Sequence, residues 1–94
     1  MEPFYFTSYD RVIGTARDVR ELDKEMKRLA REDRACLEYH LENGHIVSWL
    51  VYVNEPELAK DLEGVKTVEE AVMMVERYVA RSVILHRTRR GRMH

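Results

Sequence analysis

The chain of 94 residues has no glutamine, two asparagines (Asn43 and Asn54), two prolines and one cysteine. With Cys36 alone, no internal disulfide can form, which excludes a disulfide-stapled scaffold and fits a reducing compartment. No run of apolar residues approaches the roughly 20 needed to span a bilayer. The opening Met1-Glu2-Pro3 lacks the basic and apolar regions of a secretion signal, so a cytoplasmic protein with no membrane partner is expected. Few thermolabile amides, together with arginine at twelve of the sixteen basic positions, suggest a thermophilic source.

The composition is 45% apolar and 35% charged, enough for one small core under a wet surface. A chain of this length has room for one domain, residues 1–86. Charge is unevenly placed. Residues 1–86 carry twelve Lys/Arg against seventeen Asp/Glu, a net of −5, and residues 87–94 add four arginines and no acid. That basic tail shows no apolar periodicity and is expected to be flexible.

Phe4-Tyr5-Phe6-Thr7 suits a strand, Tyr9-Asp10 supply turn chemistry, and Arg11–Thr15 can return as a second strand. Asp18 and Glu21 make a capping box, after which Val19, Leu22, Met26 and Leu29 form one apolar stripe. Asn54 is read as the cap of a short helix that has Pro56 in its first turn and Gly64 at its end. Thr67 and Glu70 make another capping box before a long helix, to about residue 85, whose apolar positions exceed one face. The expected class is α+β, mainly α: a β-hairpin over about 4–15 packed on four helices, about 18–32, 35–43, 46–53 with 55–63, and 67–85. The last helix is too apolar to stand alone, which points to self-association, a homodimer being the simplest form.

The middle segment has two readings on local physics. Asn43-Gly44 between alternating runs is a strong hairpin signal, giving a second β-hairpin over 36–53. A glycine there also ends one helix before another, and Ile46, Trp49, Leu50 and Val53 form a helical stripe.

Phe4-Tyr5-Phe6, Gly14, Leu22, Glu38-Tyr39-His40, Gly44, Ile46, Trp49-Leu50 and Glu57-Leu58-Ala59 form a pattern over residues 4–63. It resembles an uncharacterised, mostly archaeal domain family, relatives of which are attached to enzymes of α-glucan and trehalose metabolism. The resemblance implies helix, glycine, helix for the middle segment and carries no catalytic residue. His45 replaces the family's usual acid after the glycine, the stretch from Trp49 to Leu58 is one residue shorter, and the long final helix has no counterpart.

Glu38, His40, Glu42 and His45 are the candidate metal set. They converge if the middle is a hairpin turning at Asn43-Gly44, and they disperse if it is helical. In that second case His40 is an edge-of-core histidine among solvated carboxylates, and no metal or other cofactor is expected. Cys36, Trp49 and Met73-Met74 read as core positions, while Phe4, Tyr5, Phe6 and Tyr9 form either a binding edge or a cover over the helices. Arg87, Arg89, Arg90 and Arg92 are the candidate partner-binding residues, for phosphates of a nucleic acid or for acids of the body or of another subunit. Phosphate-loop, nucleophile-elbow, metalloprotease and paired-cysteine motifs are absent, and serines, among them Ser8 and Ser48, are few. The expectation is a non-catalytic interaction or ligand-binding module that self-associates. The alternatives are a small nucleic-acid-associated protein and a metal-dependent enzyme on His40 and His45.

Overall fold

The computed structural model describes the backbone of residues 1–92 and the side chains of residues 1–82. The order is β1 (Phe4–Ser8), β2 (Arg11–Ala16), α1 (Val19–Glu32), α2 (Arg34–Glu42), α3 (His45–Tyr52), α4 (Pro56–Glu63) and α5 (Val68–Arg92). This is the α+β, mainly helical class, with the third expected helix divided into α3 and α4. The second hairpin does not form. Gly44 sits at φ +71 and turns α2 into α3, a backbone region only glycine visits without cost.

The antiparallel strands pair from Phe4 with Ala16 to Ser8 with Arg11. Tyr9 and Asp10 close the hairpin with φ of 50 and 66, the double left-handed geometry of a type I′ turn made here without glycine. Pairing slips between Phe6, opposite Gly14, and Thr7, opposite Val12, so Ile13 is the extra residue of a β-bulge. The carbonyl that Ile13 leaves unpaired takes a bond from Arg28 Nη2 of α1 at 2.6 Å. Glu25 Oε1 accepts from the Thr15 N–H at 3.3 Å, and Glu25 also holds the Arg28 guanidinium at 2.7 Å. That bond lowers the Glu25 carboxyl's pKa and raises that of Arg28. A Cβ on Gly14 would stand 2.9 Å from Arg28 Nη2, so the bare glycine makes room for this clamp.

Capping follows the sequence at α1 and α5: Asp18 accepts from the Glu21 N–H, and Thr67 from the Glu70 N–H. Asp33 closes α1 and also caps α2, accepting from the Cys36 N–H at 3.2 Å. Asn54 is a correction. It does not cap α4; it follows α3 in the left-handed region, at φ 64. Glu55 N–H reaches Leu50 O and Asn54 N–H reaches Val51 O, a Schellman motif that asparagine, tolerant of this region, can serve.

Phe4, Phe6, Leu22, Met26, Leu37, Ile46, Trp49, Leu50, Leu58 and Val75 are the large members of one core enclosed by the hairpin and all five helices. Among the described residues Val79 is the last of α5 to pack against it, and the helix runs on to Arg92 rather than ending near residue 85. The radius of gyration is 14.0 Å, against roughly 12 Å for a compact domain of this length. The backbone of residues 87–92 of the expected flexible tail continues α5, while the side chains of Arg87, Arg89, Arg90 and Arg92 and residues 93–94 lie outside the described residues.

Candidate functional site

A two-stranded sheet has two edges, and each strand offers unpaired backbone groups there. On β2 the edge is covered by the Arg28–Glu25 clamp. On β1 it is covered by α2. The Thr7 N–H lies 3.0 Å from His40 Nε2, and the Thr7 carbonyl lies 3.1 Å from the same nitrogen and 3.5 Å from Cys36 Sγ. Cys36 and His40 are four residues apart on one helix, so both point at one strand residue.

His40 is 3% exposed and is the sole buried polar or charged residue among the described ones. Its ring meets Phe4, Phe6 and Tyr39 edge to face, at centroid distances of 5.3, 5.7 and 5.2 Å. Its other nitrogen, Nδ1, lies 3.0 Å from Nδ1 of His45, the first residue of α3 and exposed to solvent. One proton assignment gives every group a partner. Nε2 accepts from Thr7 N–H, the thiol of Cys36 donates to Thr7 O, and Nδ1–H of His40 donates to His45. Burial lowers the pKa of His40, and positive charge on His45 pushes it the same way. Burial, with Asp33 nearby, raises the pKa of the Cys36 thiol, the wrong direction for a nucleophile.

The turn at Gly44 therefore does what the helical reading of the sequence did not anticipate: it folds α3 back so that His40 and His45 touch. Glu38 and Glu42 do not join them. They line a small depression of about 50 Å³ with Lys66 and Thr67, before α5. Among the described residues no three His, Cys, Asp or Glu side chains come together as a metal set. Trp49 is a core anchor whose Nε1 donates to the Glu2 carbonyl at 3.0 Å. Of the N-terminal aromatics, Phe4 and Phe6 are buried, whereas Tyr5 and Tyr9 face solvent.

Beside the histidines lies a cleft of about 660 Å³ between the hairpin tip and the start of α2, with Tyr9, Asp10, Asp33 and Tyr39 on its walls and Cys36 at its base. Tyr9 is 98% exposed and is held at positive φ, an unusual place for a bulky side chain. The sequence marked Tyr9-Asp10 as a turn but gave no sign of the cleft. The Thr7 backbone and the Arg28–Glu25 clamp were also missed; the spacing of Cys36 and His40 was the available signal for the first.

Comparison of the chain with known family models, curated proteins and solved structures finds no match. Among the described residues no helix is long and apolar enough to cross a membrane.

The histidine pair makes stability depend on pH. His40 binds its proton more weakly in the folded chain than in the unfolded one, so protons favour unfolding. Its contribution is fully present above the ordinary histidine value of 6.5 and is lost as pH falls through that value toward the lowered one. The groups facing His40 are Phe4, Phe6, Thr7, Cys36, Tyr39 and His45, none of them a carboxylate that would offset the charge. The thermal midpoint is expected to drop between pH 7 and pH 5, and His40→Gln, which keeps an acceptor for Thr7, is expected to flatten that slope. An equal slope in wild type and variant contradicts the assignment.

Proposed function

We propose that the protein is a non-catalytic, self-associating interaction module that works as a homodimer, with the hairpin-tip cleft as the place where a ligand or protein partner enters. One observation supports the self-association: on α5, Val68, Ala71 and Val75 fill the core while Met73, on another side of the helix, stays 46% exposed. The sequence of α5 also includes Val83-Ile84-Leu85, three consecutive apolar residues that cannot all lie on one side of a helix. A second copy supplies the cover.

The fold favours helix pairing over strand addition as the means. Both hairpin edges are occupied where a strand would dock, by Cys36 and His40 on one side and by Arg28 and Glu25 on the other. The resemblance of residues 4–63 to the uncharacterised archaeal domain family belongs to this reading, with α5 as an addition that brings two such bodies together.

Native mass spectrometry at micromolar concentration tests it. The expected species has twice the 11.2 kDa chain mass. A spectrum of monomer alone overturns the proposal.

A further inference from the structure

We propose that His40 and His45 form a proton-operated switch at the edge of β1. One added proton makes His40 trade the Thr7 N–H for the Thr7 carbonyl, which changes the floor of the hairpin-tip cleft. The effect on ligand entry rests on the role proposed for that cleft above; the proton path does not. Geometry sets how many protons the pair can hold. Two imidazoles have four ring nitrogens. Nδ1 of His40 and Nδ1 of His45 stand 3.0 Å apart, a separation that calls for one proton between them and has no room for two. The Nε2 of each ring remains. The uncharged pair holds one proton per ring, so only one of these two positions is filled. With that proton on the exposed ring of His45, His40 Nε2 is bare and accepts from the Thr7 N–H at 3.0 Å. The Thr7 carbonyl then accepts from Cys36 Sγ at 3.5 Å.

A proton added while the rings stay in contact has one place left, Nε2 of His40. Filling it reverses the contact with β1. A protonated Nε2 no longer accepts from the Thr7 N–H, but the Thr7 carbonyl lies 3.1 Å from the same nitrogen and takes its proton. The Thr7 N–H is left without an acceptor, and the Cys36 thiol meets a competitor for its own. The positive charge does not have to stay inside. When the shared proton sits on Nδ1 of His45, the charge rests on the exposed ring rather than on His40, which is 3% exposed. The surface histidine thus carries the charge while the buried one changes its hydrogen bond.

The titratable groups facing the pair are Cys36 and Tyr39 on α2, with Asp33 near Cys36. From β1 come Phe4, Phe6 and Thr7, which do not titrate, and from α3 comes His45 itself. Three of these residues, Thr7, Cys36 and Tyr39, also line the cleft. Thr7 and Cys36 change hydrogen-bond partners with the proton. Tyr39, whose ring meets His40 at 5.2 Å and His45 at 5.4 Å, stands beside the new charge. The cleft is therefore wired to a histidine at the surface.

Nitrogen NMR of the imidazoles, which tells a bare ring nitrogen from a protonated one, tests this on the full chain within the range where histidines titrate, about pH 5 to 8. At pH 8 His40 is expected to be bare at Nε2. On lowering to pH 5.5, Nε2 is expected to gain a proton in step with the charging of His45. Over the same interval the protection of the Thr7 amide against hydrogen exchange, corrected for the intrinsic effect of pH, is expected to fall roughly tenfold, as for loss of one hydrogen bond. His45→Asn keeps an acceptor for the His40 Nδ1–H but cannot take the charge. In that variant both changes are expected to vanish down to pH 5.5. Two results overturn the inference: His45 charging while His40 Nε2 stays bare, which means the rings part instead, and an equal loss of Thr7 protection in wild type and His45→Asn. Neither result touches the self-association proposed above, and a monomer in the mass spectrum does not touch the switch.

Discussion

Replacing His40 with alanine is expected to cost about 3 to 4 kcal/mol of folding stability, a large share of the roughly 5–15 kcal/mol a domain has. Two losses combine. Removing a buried aromatic ring leaves a cavity beside Phe4, Phe6 and Tyr39, which the surrounding side chains refill only in part. The same change leaves the Thr7 N–H without its acceptor and His45 without its partner. An orphaned buried donor costs about 1–3 kcal/mol by itself. His40→Gln keeps the acceptor and is expected to cost less than His40→Ala. Chemical denaturation at pH 7.5, where wild-type His40 is neutral, measures both. A loss below about 1 kcal/mol for His40→Ala would mean that the histidine does not hold the hairpin to α2.

At five residues' separation with a glycine between, His40 and His45 share no face of a continuous helix, so a helical middle segment predicts that they lie apart. The helix is not continuous. The left-handed Gly44 lets α3 double back against the end of α2, and a turn of that kind is tertiary geometry that residue spacing does not encode. Elements that depend on local chemistry were readable. Asp18 with Glu21, Thr67 with Glu70, and the stripe from Leu22 to Leu29 all lie where periodicity and capping placed them. Asn54 was seen as a punctuating residue and given the wrong role, because asparagine suits both an N-cap and a left-handed helix end. The clamp of Arg28 and Glu25 on the bulge at Ile13 had no sequence signal, since an i, i+3 pair of opposite charges on a helix ordinarily marks a solvated face.

The hairpin's place in the molecule follows from these contacts. Two strands are marginal in water by themselves. Here Phe4, Phe6 and Ala16 bury one face, and side chains from α1 and α2 take the backbone groups at the edges. The hairpin tip then stands away from the body with Tyr9 and Asp10 at the mouth of the cleft. On the other side, α5 is tied down as far as Tyr78, whose hydroxyl donates to Glu55 and whose pKa is pushed up to about 12 by that bond.

The end of α5 offers the most direct test. Ending the chain at Ser82 removes no core member among the described residues, the last of which on α5 is Val79. The shortened protein is expected to remain folded, with its helical circular dichroism reduced only by the missing turns. It is also expected to lose self-association by at least about 100-fold, roughly 2.7 kcal/mol. Sedimentation equilibrium of the two chains side by side decides the matter. The account predicts dimer for the full chain and monomer for residues 1–82 at the same micromolar concentration. The same association state for the two, whether both dimeric or both monomeric, would contradict it.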